Sequence, residues 1–163
     1  MTTKKILLVD DDKTFISAIA AMLTAKGYET KMAHSADEGF ETALAFKPDL
    51  FILDVNMETY SAGFDLAKKL RVSEPFKTTP AIMLTGIDTM SASAQIVEMY
   101  NEMEGMAGFE SNKVLKLQNP DGTISVDYKN EAGQKFLLLL DSFISKPVDS
   151  DGLLNEIKKF LKD

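Results

Sequence analysis

The sequence predicts an open α/β fold, a five-stranded parallel sheet with helices on both faces. Three observations point there. Short apolar runs recur along the chain, among them Ile6-Leu7-Leu8-Val9, Leu50-Phe51-Ile52-Leu53 and Ala81-Ile82-Met83-Leu84. None of them alternates apolar with polar, as expected of strands covered on both sides. Helical stretches separate them, and that alternation implies parallel strands joined by right-handed crossovers. With 163 residues, 45% apolar and 26% charged, the chain is long enough to bury one substantial core and too apolar for disorder.

The elements follow in order. Ile6 to Val9 is the first strand. Thr14 to Lys26 carries Phe15, Ile16, Ile19, Met22 and Leu23 at helical spacing, Asp12 is placed to cap it, and Gly27 suits its stop. Tyr28 to Ala33 forms the second strand. Ser35 and Glu38 make a capping-box pattern that opens a helix to about Phe46. Leu50 to Leu53 is the third strand, Gly63 to Arg71 a further helix, and Ala81 to Leu84 the fourth strand.

Then the rhythm breaks. Ser91 to Met106 reads as a helix with Ile96, Tyr100 and Met103 on one stripe. Val114 to Leu117 and Thr123 to Tyr128 flank Asn119-Pro120-Asp121-Gly122, a turn sequence that predicts a hairpin. Ala132 to Leu140 reads as another helix, Phe143 to Ser145 as the last strand, and Leu153 to Leu161 as a closing amphipathic helix. The expected organisation is one domain over 1–163, with an insertion at about 89–135.

Composition excludes several classes of function. The chain has no cysteine, which removes disulfides, thiolate nucleophiles and cysteine-bound zinc. Its one histidine, His34, reads as an exposed loop or helix-start residue and cannot build a histidine-rich metal site. A net charge of −7 argues against direct DNA binding. No apolar run, Phe136 to Leu140 included, is long enough to cross a membrane. The start of the chain lacks the pattern of a secretory signal, so a cytoplasmic protein is expected.

Ligands of open α/β sheets gather at the carboxyl ends of the strands. Those ends carry Asp10, Asp11 and Asp12, then Asp54, then Thr85-Gly86, then Lys146-Pro147. Two carboxylates about 4 Å apart repel by about 4 kcal/mol at an effective dielectric near 20, so such a cluster calls for cations. A hard ion such as Mg²⁺ accepts a few carboxylates together with phosphate oxygens, and Lys146 adds positive charge. The site therefore suits a phosphoryl group, whose spreading charge the cations offset. Asp54 is the best acceptor by position, alone at its strand end, while Asp10 and Asp11 can lean on the metal. The Asn56 carbonyl is placed to complete the coordination, Thr85 can donate a hydroxyl, and Gly86 leaves room.

Ile6-Leu7-Leu8-Val9-Asp10-Asp11, Leu53-Asp54-Val55-Asn56-Met57, Thr85-Gly86 and Lys146-Pro147 together resemble the response-regulator receiver domain of two-component signalling, over roughly residues 4–88 and 136–162. The resemblance implies a flavodoxin-like sheet of order 2-1-3-4-5, here with the helix and hairpin inserted before the last strand. It also implies that Asp54 takes a phosphoryl group from a histidine kinase or phosphotransfer protein. Mg²⁺ would be held by Asp11, Asp54 and the Asn56 carbonyl, with Asp10 assisting through water. Phosphorylation would draw in Thr85 and turn Phe143, the switch aromatic. Such a receiver performs only its own phosphoryl transfer and hydrolysis, without being an enzyme in the usual sense. Output through a protein target fits a stand-alone receiver with no separate output domain, and a homodimer is compatible with it.

The chain departs from the family in places. Glu58 stands where proline is usual, the loop to Gly63 is one residue longer, and Ile87 is apolar at a variable position. Thr85 and Lys146 lie 61 positions apart, more than twice the family's usual interval. Two other readings stand beside this one. One is a pseudo-receiver that keeps the fold without phosphorylation. The other is a phosphatase resembling the haloacid dehalogenases, with Asp10 as nucleophile and Asp12 as acid/base in Asp10-Asp11-Asp12-Lys13-Thr14. That second family needs a further strand after the lysine, and it leaves Asp54 without a role.

Overall fold

The computed structural model describes residues 3–55, 57, 62–85, 89–91, 114–118, 123–129 and 135–161. Strands β1 (Lys5–Val9), β2 (Glu29–Ala33), β3 (Leu50–Asp54), β4 (Ala81–Thr85) and β9 (Ser142–Ser145) form one sheet in the order β2-β1-β3-β4-β9. Every neighbouring pair in it is parallel. Helices α1 (Lys13–Ala25), α2 (Ala36–Phe46), α3 (Ala62–Val72) and α4 (Ser150–Phe160) connect or follow these strands. The order is the one the sequence implied.

Side chains alternate across the sheet, so each strand feeds two cores. Ile6, Leu8, Ile52, Ile82 and Leu84 face α1 and α4, where Ile16, Ile19, Leu23, Leu153 and Ile157 meet them. Leu7, Val9, Phe51, Leu53 and Met83 face α2 and α3, packing with Ala43, Phe64, Leu66 and Leu70. Burial on both sides explains why these strands read as unbroken apolar runs.

Local signals set the helix ends. Asp12 caps α1, its Oδ1 accepting from the Phe15 amide at 3.0 Å, and Gly27 turns the chain with φ +98°. Ser35 caps α2 through the Glu38 amide, while Glu38 Oε2 reaches back to accept from the His34 amide.

A second sheet lies between β4 and β9 in sequence. It contains β5 (Thr89–Ser91), β6 (Val114–Gln118), β7 (Ile124–Lys129) and β8 (Lys135–Leu140), in that spatial order. The predicted hairpin is β6 paired antiparallel with β7. Two expectations change. Ala132 to Leu140 was expected to be helical, but 135–140 is a strand paired with β7, with Leu138 and Leu140 buried and Leu139 half exposed. Five apolar residues in a row fit either period, and burial of alternate residues decides for the strand. Ser91, expected to open a helix, ends β5. The remainder of that expected helix, 92–106, lies outside the described residues.

This second sheet covers the α2/α3 side. Val126, Leu138 and Leu140 join the same buried cluster as Phe64, Met83 and Phe143. Asp141, the single residue between β8 and β9, fastens the junction: its Oδ2 accepts from Arg71 of α3 and from the Ala81 amide at the start of β4.

Candidate functional site

Register brings the predicted residues together. β1, β3, β4 and β9 run parallel and end at one edge, so the residues at or just past their ends converge. Asp10 is 3% exposed, Asp54 5% and Thr85 1%, while Asp11 is exposed. Carboxylate oxygens of Asp10, Asp11 and Asp54 lie within 4.8 Å of one another. Asn56, Glu58, Gly86 and Ile87 fall outside the described residues.

Lys146 enters this cluster just beyond β9. Its Nζ donates to Asp10 Oδ2 at 3.1 Å and pairs with Asp54 Oδ1 at 3.3 Å. Its backbone amide donates to the Thr85 carbonyl at 2.7 Å, and the Lys146–Pro147 peptide bond is cis. The ammonium also lies 4.5 Å from the centre of the Phe15 ring, a favourable cation–π approach that sequence reading gave no hint of. Phe15 lines a small cavity together with Asp10, Asp54, Ile52 and Leu84.

One cation does not neutralise three acids. Burial pushes the Asp54 carboxyl up and the Asp10 charge pushes it further, with a smaller effect from Asp11, to about 6 despite Lys146. For Lys146, burial disfavours the ammonium, but Asp54 and the bonds to Asp10 outweigh it and its pKa is raised. The cluster thus holds more negative charge than its own residues offset. Its donors are all hard oxygens, which fits Mg²⁺ and not a soft metal.

Asp10 is held from every side. Its amide donates to the Ala33 carbonyl, Oδ1 accepts from the Asp12 amide and Oδ2 from Lys146. Its own carbonyl lies 3.2 Å from Nδ1 of His34. His34 is half-buried, closer to the site than its expected place in an exposed loop.

Asp54 is positioned from behind as well. The ladder of β3 and β4 runs one residue past β3, with the Val55 amide donating to the Leu84 carbonyl. The Gly63 amide then donates to the Val55 carbonyl at 2.8 Å, which draws the first turn of α3 onto the backbone of Asp54. A Cβ on Gly63 would lie 1.9 Å from the Asp54 carbonyl oxygen, so only glycine fits there. Phe143 of β9 is buried and stacks on Phe64 of α3, with ring centres 6.2 Å apart.

A family model described as the response regulator receiver domain matches residues 6–101. The transcriptional regulatory protein DltR of Streptococcus agalactiae is 37% identical over 81 residues, covering 50% of this chain and 35% of DltR. The polar-differentiation response regulator DivK of Brucella ovis is 29% identical over 83 residues, covering 51% of this chain and 67% of DivK. The match to DltR therefore spans about a third of that regulator's length. The chemotaxis response regulator CheY4 of Vibrio cholerae superposes with a TM-score of 0.62 at 23% identity, covering 98% of this chain and all of CheY4. A CheY-like receiver from Methanospirillum hungatei JF-1 gives 0.60 at 24% identity. At these identities the structural likeness concerns the fold.

Proposed function

Because the chain belongs to the response regulator receiver domain family, we propose that it is a phosphorylation-dependent signalling switch whose phosphoacceptor is Asp54. The observation that carries this reading is the convergence of Asp10, Asp11 and Asp54 around Lys146 at one edge of the sheet.

In the proposed reaction an Asp54 carboxylate oxygen attacks the phosphorus of a phosphohistidine on a partner kinase or phosphotransfer protein. The new O–P bond forms as the P–N bond breaks, and the imidazole nitrogen keeps the electron pair and takes a proton. Asp10 and Asp11, with Asp54 and the Asn56 carbonyl, would hold Mg²⁺, which offsets charge on the phosphoryl oxygens when bound. Lys146 pairs with another of those oxygens, its side chain already beside Asp54. The Thr85 hydroxyl donates to a third.

The added charge, about −1.5 to −2, then biases a two-state element. Phe143 is the proposed reporter, because it is buried between α3 and the second sheet on the strand next to Thr85. The state ends by hydrolysis of the acyl phosphate within the same site. Output passes to a protein target in the cytoplasm, with the chain acting as a single domain. Among the described residues no helix is long and apolar enough to cross a membrane. The phosphatase reading draws no support from Asp12, which caps α1 by accepting from the Phe15 amide.

The test is intact mass after incubation with acetyl phosphate and Mg²⁺. The native chain should gain one phosphoryl group and Asp54→Asn none. A native chain that never gains the mass would leave a binding module without phosphorylation. Equal gain in the variant would move the acceptor elsewhere.

A further inference from the structure

We infer that His34 is a positioning residue for the acid pair, holding the peptide between Asp10 and Asp11 through the Asp10 carbonyl. The inference rests on the metal-assisted reading of the site given above, and it concerns a residue outside the acid, hydroxyl and lysine set.

β1 and β2 pair through Val9 and Ala33, and β2 ends there. The Asp10 amide still finds the Ala33 carbonyl at 3.0 Å. Its carbonyl has run out of strand, and His34 Nδ1 stands 3.2 Å from that oxygen. A carbonyl only accepts, so Nδ1 carries the proton and donates. The imidazole thus extends the β1/β2 ladder by one bond where the backbone can no longer supply it.

The bonded group is the peptide whose other end is the Asp11 amide. Fixing its plane fixes the direction in which the exposed Asp11 side chain leaves the chain. The Ala33 carbonyl holds the Asp10 amide, on the near side of that residue, and the Asp12 amide and Lys146 both act on the Asp10 carboxylate. His34 itself is held by its own amide, which donates to Glu38 Oε2 of α2. The chain of contacts runs from α2 through His34 to the metal-binding acids. Partners that orient metal ligands commonly change ion affinity by tenfold or more.

Three variants test this. His34→Phe keeps ring bulk and loses the donor; His34→Asn places an amide N–H close to where Nδ1 stands; His34→Gln places it one atom further out. Mn²⁺ affinity by titration calorimetry should fall about tenfold in His34→Phe, hold within a factor of about two in His34→Asn, and fall in His34→Gln. Phosphorylation by acetyl phosphate should then slow in His34→Phe at low Mg²⁺ and recover at saturating Mg²⁺. Melting in EDTA should be nearly the same for all four proteins. Unchanged Mn²⁺ affinity in His34→Phe would overturn the inference, as would an equal loss in His34→Asn. If the native chain binds no Mn²⁺ at all, the reading of the site fails instead.

Discussion

At Asp54 the fold and the function pull in opposite directions. The carboxyl has its pKa raised from 3.8 to about 6, because burial and the Asp10 charge outweigh Lys146. Between those two pH values the folded chain holds a proton that the unfolded chain has released. This group's contribution therefore favours folding at low pH, weakens as pH rises through about 6, and stays weak above it. In EDTA at pH 7.5, Asp54→Asn should be more stable than the native chain by roughly 2–3 kcal/mol. At pH 5 the gap should shrink by about half. Urea unfolding at the two pH values reads it directly, and a gap independent of pH would reject the cause. Mg²⁺ should narrow the gap at pH 7.5 by stabilising the native chain more than the variant. The place of Asp54 at the carboxyl end of β3 was legible in the sequence because a lone acid follows an apolar run. Its state of charge was not, since that depends on Asp10, 44 positions earlier, and Lys146, 92 positions later. His34 was missed for the same reason: its ring meets a carbonyl 24 residues away, and no local spacing encodes that.

Among the elements, the approach of α3 to β3 matters most to the site. Gly63 lets the first turn of α3 close on the Asp54 backbone, and its amide bonds the Val55 carbonyl. Gly63→Ala sets a methyl group against that backbone. Overpacking of this kind typically costs 1–3 kcal/mol, and the rigid carbonyl at 1.9 Å places Gly63→Ala near 3. Denaturant unfolding should show that loss, and phosphorylation by acetyl phosphate should fall beyond what unfolding explains, because Asp54 moves with its backbone. A variant of native stability and native rate would dismiss the contact. Boundaries were legible wherever a local signal acted alone, as with Asp12, Ser35 and Gly27. They were not legible where tertiary contacts decided. Phe136 to Leu140 fits a helix or a strand equally well, and only pairing with β7 and the buried cluster beneath Leu138 and Leu140 settles the strand.

The molecule as a whole joins two sheets through one apolar cluster. Leu140 is fully buried, and it shares that cluster with Phe143, Phe64 and Met83. Leu140→Ala should cost about 2–5 kcal/mol. Because the cluster spans both sheets, unfolding should remain one cooperative transition at lower denaturant. Two separate transitions would show that the second sheet is an independent unit. The sequence reads this extra region as lying between the fourth and last strands of the main sheet, yet could not tell that its described residues include four strands on the α2/α3 side.

Pairing of β9 with β4 joins residues far apart in the chain, Ile82 opposite Ser142. A detour that long looks like a heavy handicap, but closing a loop becomes harder only with the logarithm of its length. Each doubling adds about 0.6 kcal/mol. A receiver can thus host a sizeable excursion in front of its final strand at little entropic expense, and this junction is a natural place for new surface to arise without rebuilding the phosphorylation machinery.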